Sequence, residues 1–330
     1  MRDGMRFAAA DDDLSHSNSP ERPIMTTAYL LLVHNAPDHV RRLVRSLQHP
    51  QSRIFMHVDK KTPLSDFEDL AAHGVHFTPH RVSVHWGDYS QVEAILELMR
   101  TALSAPERVD RLVLLSGVDY PVHSTHYIQA FFDRQPDTEF INLIEMPNDR
   151  EGKPEARIAR RVPRPGPFRY LAWALLKAGL VKEWRDYHQH LEGLRPYGGA
   201  TWWALTRDCA QYVLDYADTH PSLTRYFSTT VCADETFIHT LVGNSPFLPK
   251  VVRNVTRNYW SPGKASPETF GMSLVKDVMR ERRFPADNFH GPGDILFARK
   301  FPNDSEALVA YIDSLRDRVG VLEQDELKTA

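Results

Sequence analysis

The sequence predicts an α/β domain, a mainly parallel central sheet with helices on both faces, and three observations carry that expectation. Short, nearly continuous apolar runs recur, each ending in polar residues. Amphipathic helical stretches lie between them. The opening order is strand, helix, strand, helix, which implies right-handed crossovers. The first run, residues 27–35 (TAYLLLVHN), has the pattern of a strand buried on both faces. Pro37 and Asp38 then open a helix in which Val40, Leu43, Val44 and Leu47 fall at i, i+3, i+4 and i+7. A second strand over 53–58 ends on Asp59-Lys60-Lys61, a helical stretch follows over 64–73, and a short strand over 75–78. Residues 88–105 form an amphipathic helix with Val92, Ile95, Leu96, Met99 and Leu103 on one stripe. The run RLVLLS, 111–116, is another buried strand and leads into Gly117-Val118-Asp119-Tyr120-Pro121. Further on, a strand-like run covers 197–205, with helices over 207–220 and from Asp234 to about Val242.

The stretch 146–194 is rich in Arg, Lys and Pro and includes Arg157, Arg160, Arg161 and Arg164. Within it, 170–184 reads as an amphipathic helix beside an acceptor site or a membrane surface, or as a solvated connection packed on the domain. At 330 residues, with 42% hydrophobic and 25% charged residues, the chain can bury a substantial core. A net charge of -3 gives no reason to expect nucleic acid as a partner. Two cysteines, Cys209 and Cys232, are too few for a disulfide framework; reduced thiols are expected, with a single disulfide as the alternative. No run approaches the roughly 18–20 apolar residues of a membrane-spanning helix. Residues 1–24 are polar and acidic, lack the apolar segment of a signal peptide and are expected to be disordered. Cytoplasmic residence is expected, with peripheral contact at the inner membrane face as an option.

Polar residues gather just after strand C-termini, at Asn35, Asp59 and Asp119, the edge where open α/β sheets bind ligands and also where Asn and Asp form turns. His73, His76, His80 and His85 lie close together, but no Cys or acidic residue joins them at a metal-ligand spacing. Asp234-Glu235 precedes an apolar helix, as a cap or as a general base at the lip of a pocket. Near the C-terminus, Arg299 and Lys300 sit inside an apolar and aromatic run and suit an anionic ligand such as a diphosphate.

Taken in order, HVDKK (57–61), VHWGDYSQVEA (84–94), LSGVDYPV (115–122), GGATWWALTRDCAQYV (198–213), ADETF (233–237) and LFARKF (296–301) resemble the core-2/I-branching glycosyltransferase family. That family includes β-1,6-N-acetylglucosaminyltransferases and peptide O-xylosyltransferases. The resemblance implies a GT-A type fold, a UDP-sugar donor, inversion at the anomeric carbon, and neither metal nor other cofactor. It places Asp59 at the uridine and Lys300 at the diphosphate, with Arg257 or Arg253 as the partner of Lys300 and Arg299 as a further cation. Asp119, counted by the resemblance among the UDP contacts, stands where many GT-A enzymes carry a metal-binding D-x-D. The one D-x-D of the chain is Asp11-Asp12-Asp13 in the N-terminal extension. Glu235 matches the catalytic base and Glu145 an acceptor-contacting glutamate. Trp202 and Trp203 are candidates to stack on a sugar, although adjacent strand residues point opposite ways and one of the two can be core.

The expected organisation is an extension over 1–24, a single GT-A catalytic domain over 25–303, and a C-terminal helix and tail over 304–330. The expected reaction transfers GlcNAc, xylose or another sugar from UDP to a hydroxyl of a glycan, lipid-linked or protein acceptor. A carboxylate-dependent hydrolase and an inactive sugar-binding module are the alternatives.

Overall fold

A computed structural model describes residues 25–264, 266–286 and 289–316. The first half follows the expected alternation: β1 (Thr27–Val33), α1 (Pro37–Ser46), β2 (Ser52–Val58), β3 (Val75–Phe77), α2 (Ser90–Leu103) and β4 (Arg111–Ser116). Strand β1 lies parallel to β2 on one side and β4 on the other, with Leu30 level with Phe55 and Leu114. Its side chains alternate between two cores. Ala28 and Leu30 enter the core that holds Val92, Ile95 and Met99 of α2, while Tyr29, Leu31 and Val33 enter that of Val40, Leu43 and Val44 of α1. Burial on both faces is why the run is apolar without a break. Between β2 and β3 the expected helical stretch is two 3-10 turns, Leu64–Asp66 and Glu68–His73.

The chain continues through β5 (Asp119–Pro121), α3 (Thr125–Arg134), β6 (Glu139–Phe140), β7 (Ile144–Glu145), α4 (Ala156–Ala159) and α5 (Arg169–Lys177). Next come β8 (Tyr197–Gly198), β9 (Ala204–Thr206), α6 (Arg207–Thr219), α7 (Pro221–Phe227), α8 (Phe237–Gly243) and β10 (Val251–Val252). The main sheet has seven strands in the order β10-β6-β9-β4-β1-β2-β3. Strand β9 runs antiparallel to both β4 and β6; the other pairings are parallel. The last strands are β11 (Thr256–Asn258), β12 (Arg283–Phe284), β13 (Gly293–Asp294) and β14 (Phe297–Arg299), with α9 (Met272–Glu281) after β11. A small second sheet, β11-β14-β5, carries the C-terminal cations back against the residues after β4. Residues 306–316 are helical, and Val309 and Ile312 bury into the core that holds α1. The expected extension over 1–24, with its Asp11-Asp12-Asp13, and residues 317–330 lie outside the described residues.

Two expectations are corrected. The run 197–205 is not one strand: β8 pairs with β7, whereas β9 belongs to the main sheet. The break falls at Gly199, where a Cβ would stand 1.9 Å from the Asn142 carbonyl oxygen and 2.6 Å from Cδ2 of His239. The helix expected from Asp234 starts instead as a 3-10 turn over Ala233–Glu235, before α8. Gly199→Ala should therefore cost about 3 kcal/mol, since the obstacle is backbone and cannot swing aside. Urea denaturation checks this, and an unchanged midpoint would contradict the close approach.

Candidate active site

The polar residues after β1, β2 and β4 meet at one edge of the sheet. Asp59, just past β2, is buried; it accepts a hydrogen bond from the Lys61 amide at 2.9 Å and pairs with Lys61 Nζ at 3.2 Å. Lys61 Nζ also donates to the Val84 carbonyl, and the Lys60 amide donates to that of Val82 at 3.0 Å. These bonds strap the 82–84 segment across the edge. His34, past the end of β1, has its pKa lowered by burial first; Asp59 opposes that, while Lys300, Lys61 and Arg299 reinforce it. The uridine candidate and both C-terminal cations thus lie close enough to influence the same imidazole.

Asp119 sits deeper than expected. It is 0% exposed, accepts from the Ser116 amide at 2.9 Å, and lies 3.4 Å from Nε of Arg299, its register partner across β5 and β14. Burial pushes its carboxyl up and the neighbouring guanidinium opposes the shift. The expectation that it contacts the donor is corrected: its carboxylate is fully buried against Arg299. The guanidinium of Arg299 lies 3.9 Å from the centre of the Trp202 ring, a cation–π geometry. Burial lowers the Arg299 pKa, with Asp119 and Asp234 opposing. Lys300 follows it half-buried, and its pKa is lowered by burial and then by the Arg299 charge.

The two tryptophans divide as strand geometry requires. Trp203 is 1% exposed inside the core beneath the main sheet, so it offers no face to an acceptor, which corrects that expectation. Trp202 is 8% exposed and turns one face to Arg299. Arg257 is also not where expected. It pairs with Glu281 at 3.2 Å and lies over the rings of Tyr259 and Phe284, because alternation along β11 turns it from the Arg299 side, where Asn258 is the register partner. Arg253 stacks on Phe284 at 3.4 Å and donates to the Gly291 carbonyl.

The two adjacent carboxylates have opposite surroundings. Glu235 Oε2 accepts from Lys153 Nζ at 2.5 Å and from Arg157 Nη1 at 2.6 Å. Burial alone would raise its pKa, but these two cations outweigh it and hold the carboxyl below the usual range. Asp234 Oδ2 accepts from Thr201 Oγ1 at 2.9 Å and Gln91 Nε2 at 3.1 Å; burial, then the charge of Glu235, pushes it up to about 6. A pair of titratable groups driven apart in this way is a mark of acid–base sites. The backbone beneath is pinned: the Gly199 amide donates to the Glu235 carbonyl at 3.0 Å, and Lys153 Nζ to the Gly199 carbonyl at 2.7 Å. His239, fully buried with its pKa down near 4, is neutral and bonds the Ala200 carbonyl through Nε2 at 2.9 Å. Glu145 is exposed on β7, whose partner β8 brings Gly198 against Lys153 and the Glu235 backbone.

The structure thus brings Asp119, Arg299 and Trp202 into contact, with Lys300 next to Arg299, links them through Thr201 to Asp234 beside Glu235, leaves Asp59 at the end of β2 and Glu145 exposed on β7, and sets Arg257 and Trp203 apart. Sequence reasoning missed Lys153, Arg157, Thr201 and Gln91 as neighbours of the carboxylates. Gln91 and Thr201 lie within motifs already singled out, and Arg157 opens the basic run, but no spacing tells which cation turns inward. Among the described residues no three His, Cys, Asp or Glu side chains converge as metal ligands, and His73, His76, His80 and His85 are exposed. Both cysteine thiols are free.

The chain is similar to xylosyltransferase 2 of Rattus norvegicus, 27% identical over 251 residues, which cover 71% of this chain and 26% of that protein. It is similar also to xylosyltransferase 1 of Homo sapiens, 26% identical over 262 residues, 74% of this chain and 25% of that protein. The chain thus matches about a quarter of the length of these relatives. Mouse xyloside xylosyltransferase 1 in its apo form overlays with a TM-score of 0.35 at 12% identity, covering 83% of this chain and 97% of that one, a likeness too slight to add to the strand order. The sequence pattern of the Core-2/I-Branching enzyme matches residues 27–282. With the ordered motifs, the mainly parallel sheet and that match over most of its length, the chain belongs to the core-2/I-branching family of glycosyltransferases.

Proposed function

We propose that this protein transfers a sugar from a UDP-sugar to an acceptor hydroxyl in one inverting, metal-independent displacement. The observation that carries the reading is geometric: Thr201 holds Asp234 at 2.9 Å while the adjoining Trp202 lies 3.9 Å from the Arg299 guanidinium, so residues 201–202 join the acidic pair to the C-terminal cations. Glu235 accepts the proton of the acceptor hydroxyl, that oxygen bonds to C1, and the C1–O bond to the diphosphate breaks. UDP departs with the electron pair, its charge countered by Lys300 and Arg299. Asp59 is the uridine contact, and Glu145 with the exposed edge of β7 is the acceptor side. The relatives' names support xylose as the transferred sugar; GlcNAc is the alternative donor sugar, and the acceptor is a glycan, a lipid-linked glycan or a protein.

The test is a panel of UDP-sugars read by thermal shift and by release of free UDP. The expected result is stabilisation by UDP and UDP release that rises with acceptor. Glycan cleavage without any UDP requirement would favour a hydrolase, and UDP-sugar binding without turnover a binding module. Activity should persist after EDTA treatment; a strict manganese requirement would overturn the metal-independent step.

The pH profile separates the two carboxylates. A general base works ionised, so activity falls as pH drops through its pKa. Lys153 and Arg157 hold Glu235 below the usual range, so its limb lies below that range. An acid limb of kcat/KM centred near 6 would assign the proton transfer to Asp234 instead.

A further inference from the structure

We propose that residues 165–182 dock this protein peripherally on an anionic lipid bilayer, with the apolar surface of α5 among the headgroups and Arg169, Lys177 and Lys182 against their negative charge. The helix RYLAWALLK has no buried residue. Around it Phe168, Tyr170, Leu171 and Leu180 are 75%, 86%, 58% and 73% exposed. Tyr170, Leu171, Ala174 and Ala178 repeat at three- and four-residue spacing along the exposed side. So large an apolar surface in water on a helix of this length is unusual for a solvated connection and typical of a surface that is covered in use.

The charge pattern selects the cover. From Ala156 to Lys182 the chain has no Asp or Glu but carries Arg157, Arg160, Arg161, Arg164, Arg169, Lys177 and Lys182. Arg157, Arg160 and Arg164 are engaged by Glu235, Glu183 and Glu93. Arg169, Lys177 and Lys182 are exposed and make no ion pair among the described residues. They flank the apolar stretch at both ends, in a protein whose net charge is -3. Cations bracketing an aromatic and aliphatic helix match a bilayer interface bearing anionic lipids. A second copy of this chain would instead bring like charges together. No helix among the described residues is long and apolar enough to cross a membrane, so the contact lies in the interface.

The segment is also mounted for the purpose. Its two ends pair: the Arg161 amide donates to the Glu183 carbonyl at 2.7 Å, the Arg185 amide to the Ala159 carbonyl at 3.0 Å, and Arg160 bridges Trp184. Residues 162–164 pack on the domain through Val162 and Arg164, and residues 165–182 extend beyond them from this neck, whose base, α4, places Arg157 on Glu235. Trp184 at the neck is 54% exposed, the kind of aromatic that settles at a headgroup boundary. The docking does not depend on the transfer reaction.

The experiment is co-sedimentation of the full chain with phosphatidylcholine vesicles with and without phosphatidylglycerol, over a salt series. Binding is expected only with phosphatidylglycerol, weakening as salt rises. At about fivefold per cation, the triple variant R169Q/K177Q/K182Q should lose roughly a hundredfold in partitioning. Y170S/L171S should lose at least about tenfold. None of these side chains is buried, so UDP-induced thermal stabilisation reports that the variants remain folded. If UDP binding itself is absent, the urea midpoint serves the same purpose. Equal sedimentation with both vesicle types, partitioning indifferent to the substitutions, or a vesicle-independent dimer broken by Y170S/L171S would each overturn the proposal.

Discussion

Replacing Glu235 by Gln is expected to lower turnover by about 10²–10⁴-fold, the range a positioned general base contributes, while UDP still stabilises the protein. The substitution keeps the size of the side chain, and the Gln carbonyl still accepts from Lys153 and Arg157. What it removes is the capacity to take a proton. Glu235→Asp is the informative companion, since it keeps the carboxylate but withdraws it from both cations. The variant loses an anion between two charged groups, which in a sealed core would unfold the protein. Here the Glu235 side chain is 27% exposed, so solvent relieves part of that penalty for E235Q, although Lys153 beside it is only 9% exposed. Turnover of E235Q is therefore read against its urea midpoint, and near-normal turnover would remove Glu235 from the reaction.

The second large effect is expected at Lys300. Lys300→Ala should reduce kcat by about 10²–10³-fold, the loss typical of removing one preorganised group from a developing charge. Among the described residues it makes no ion pair, and burial together with Arg299 already lowers its pKa, so the ammonium is destabilised until an anion arrives. A departing diphosphate supplies that anion. Arg299 is the poorer test: it pairs with fully buried Asp119, and its removal strands that carboxylate at a cost of about 3–5 kcal/mol in stability. Lys300→Arg should restore part of the rate. Unchanged turnover in K300A would leave the leaving group without its main counter-charge and defeat the assignment.

Much of this was legible before the structure. The run at 27–33 announced a strand buried on both faces because both faces are packed, and α1 and α2 were written in their apolar stripes. Glu235, Lys300 and Asp59 were marked by short motifs at the C-terminal edge of the sheet. Other features were not legible, for reasons that can be stated. Arg257 and Arg299 lie on paired strands, and which way each points depends on register, which one chain of residues does not reveal. Trp202 and Trp203 looked alike until the break at Gly199 fixed which faced the core. Lys153 and Arg157 belong to a segment without periodicity, where inward and outward cations share the same composition. Asp119 carried the right residue type at the right edge, but its depth is set by β14 pairing with β5, where Asp119 lies, from a distant part of the chain.

The neck formed by residues 160–161 and 183–185 gives the molecule a natural point of exchange. The chain leaves and re-enters there at nearly the same place, and nothing in 162–182 belongs to a strand of the main sheet. Lengthening or shortening such an excursion changes loop-closure entropy only slowly, by about 0.6 kcal/mol for each doubling. The fold can thus vary this appendage as a cassette while the sheet edge that carries Asp59, Arg299 and Lys300 stays fixed. A change confined to the excursion can in this way alter what the protein's surface offers without altering its chemistry.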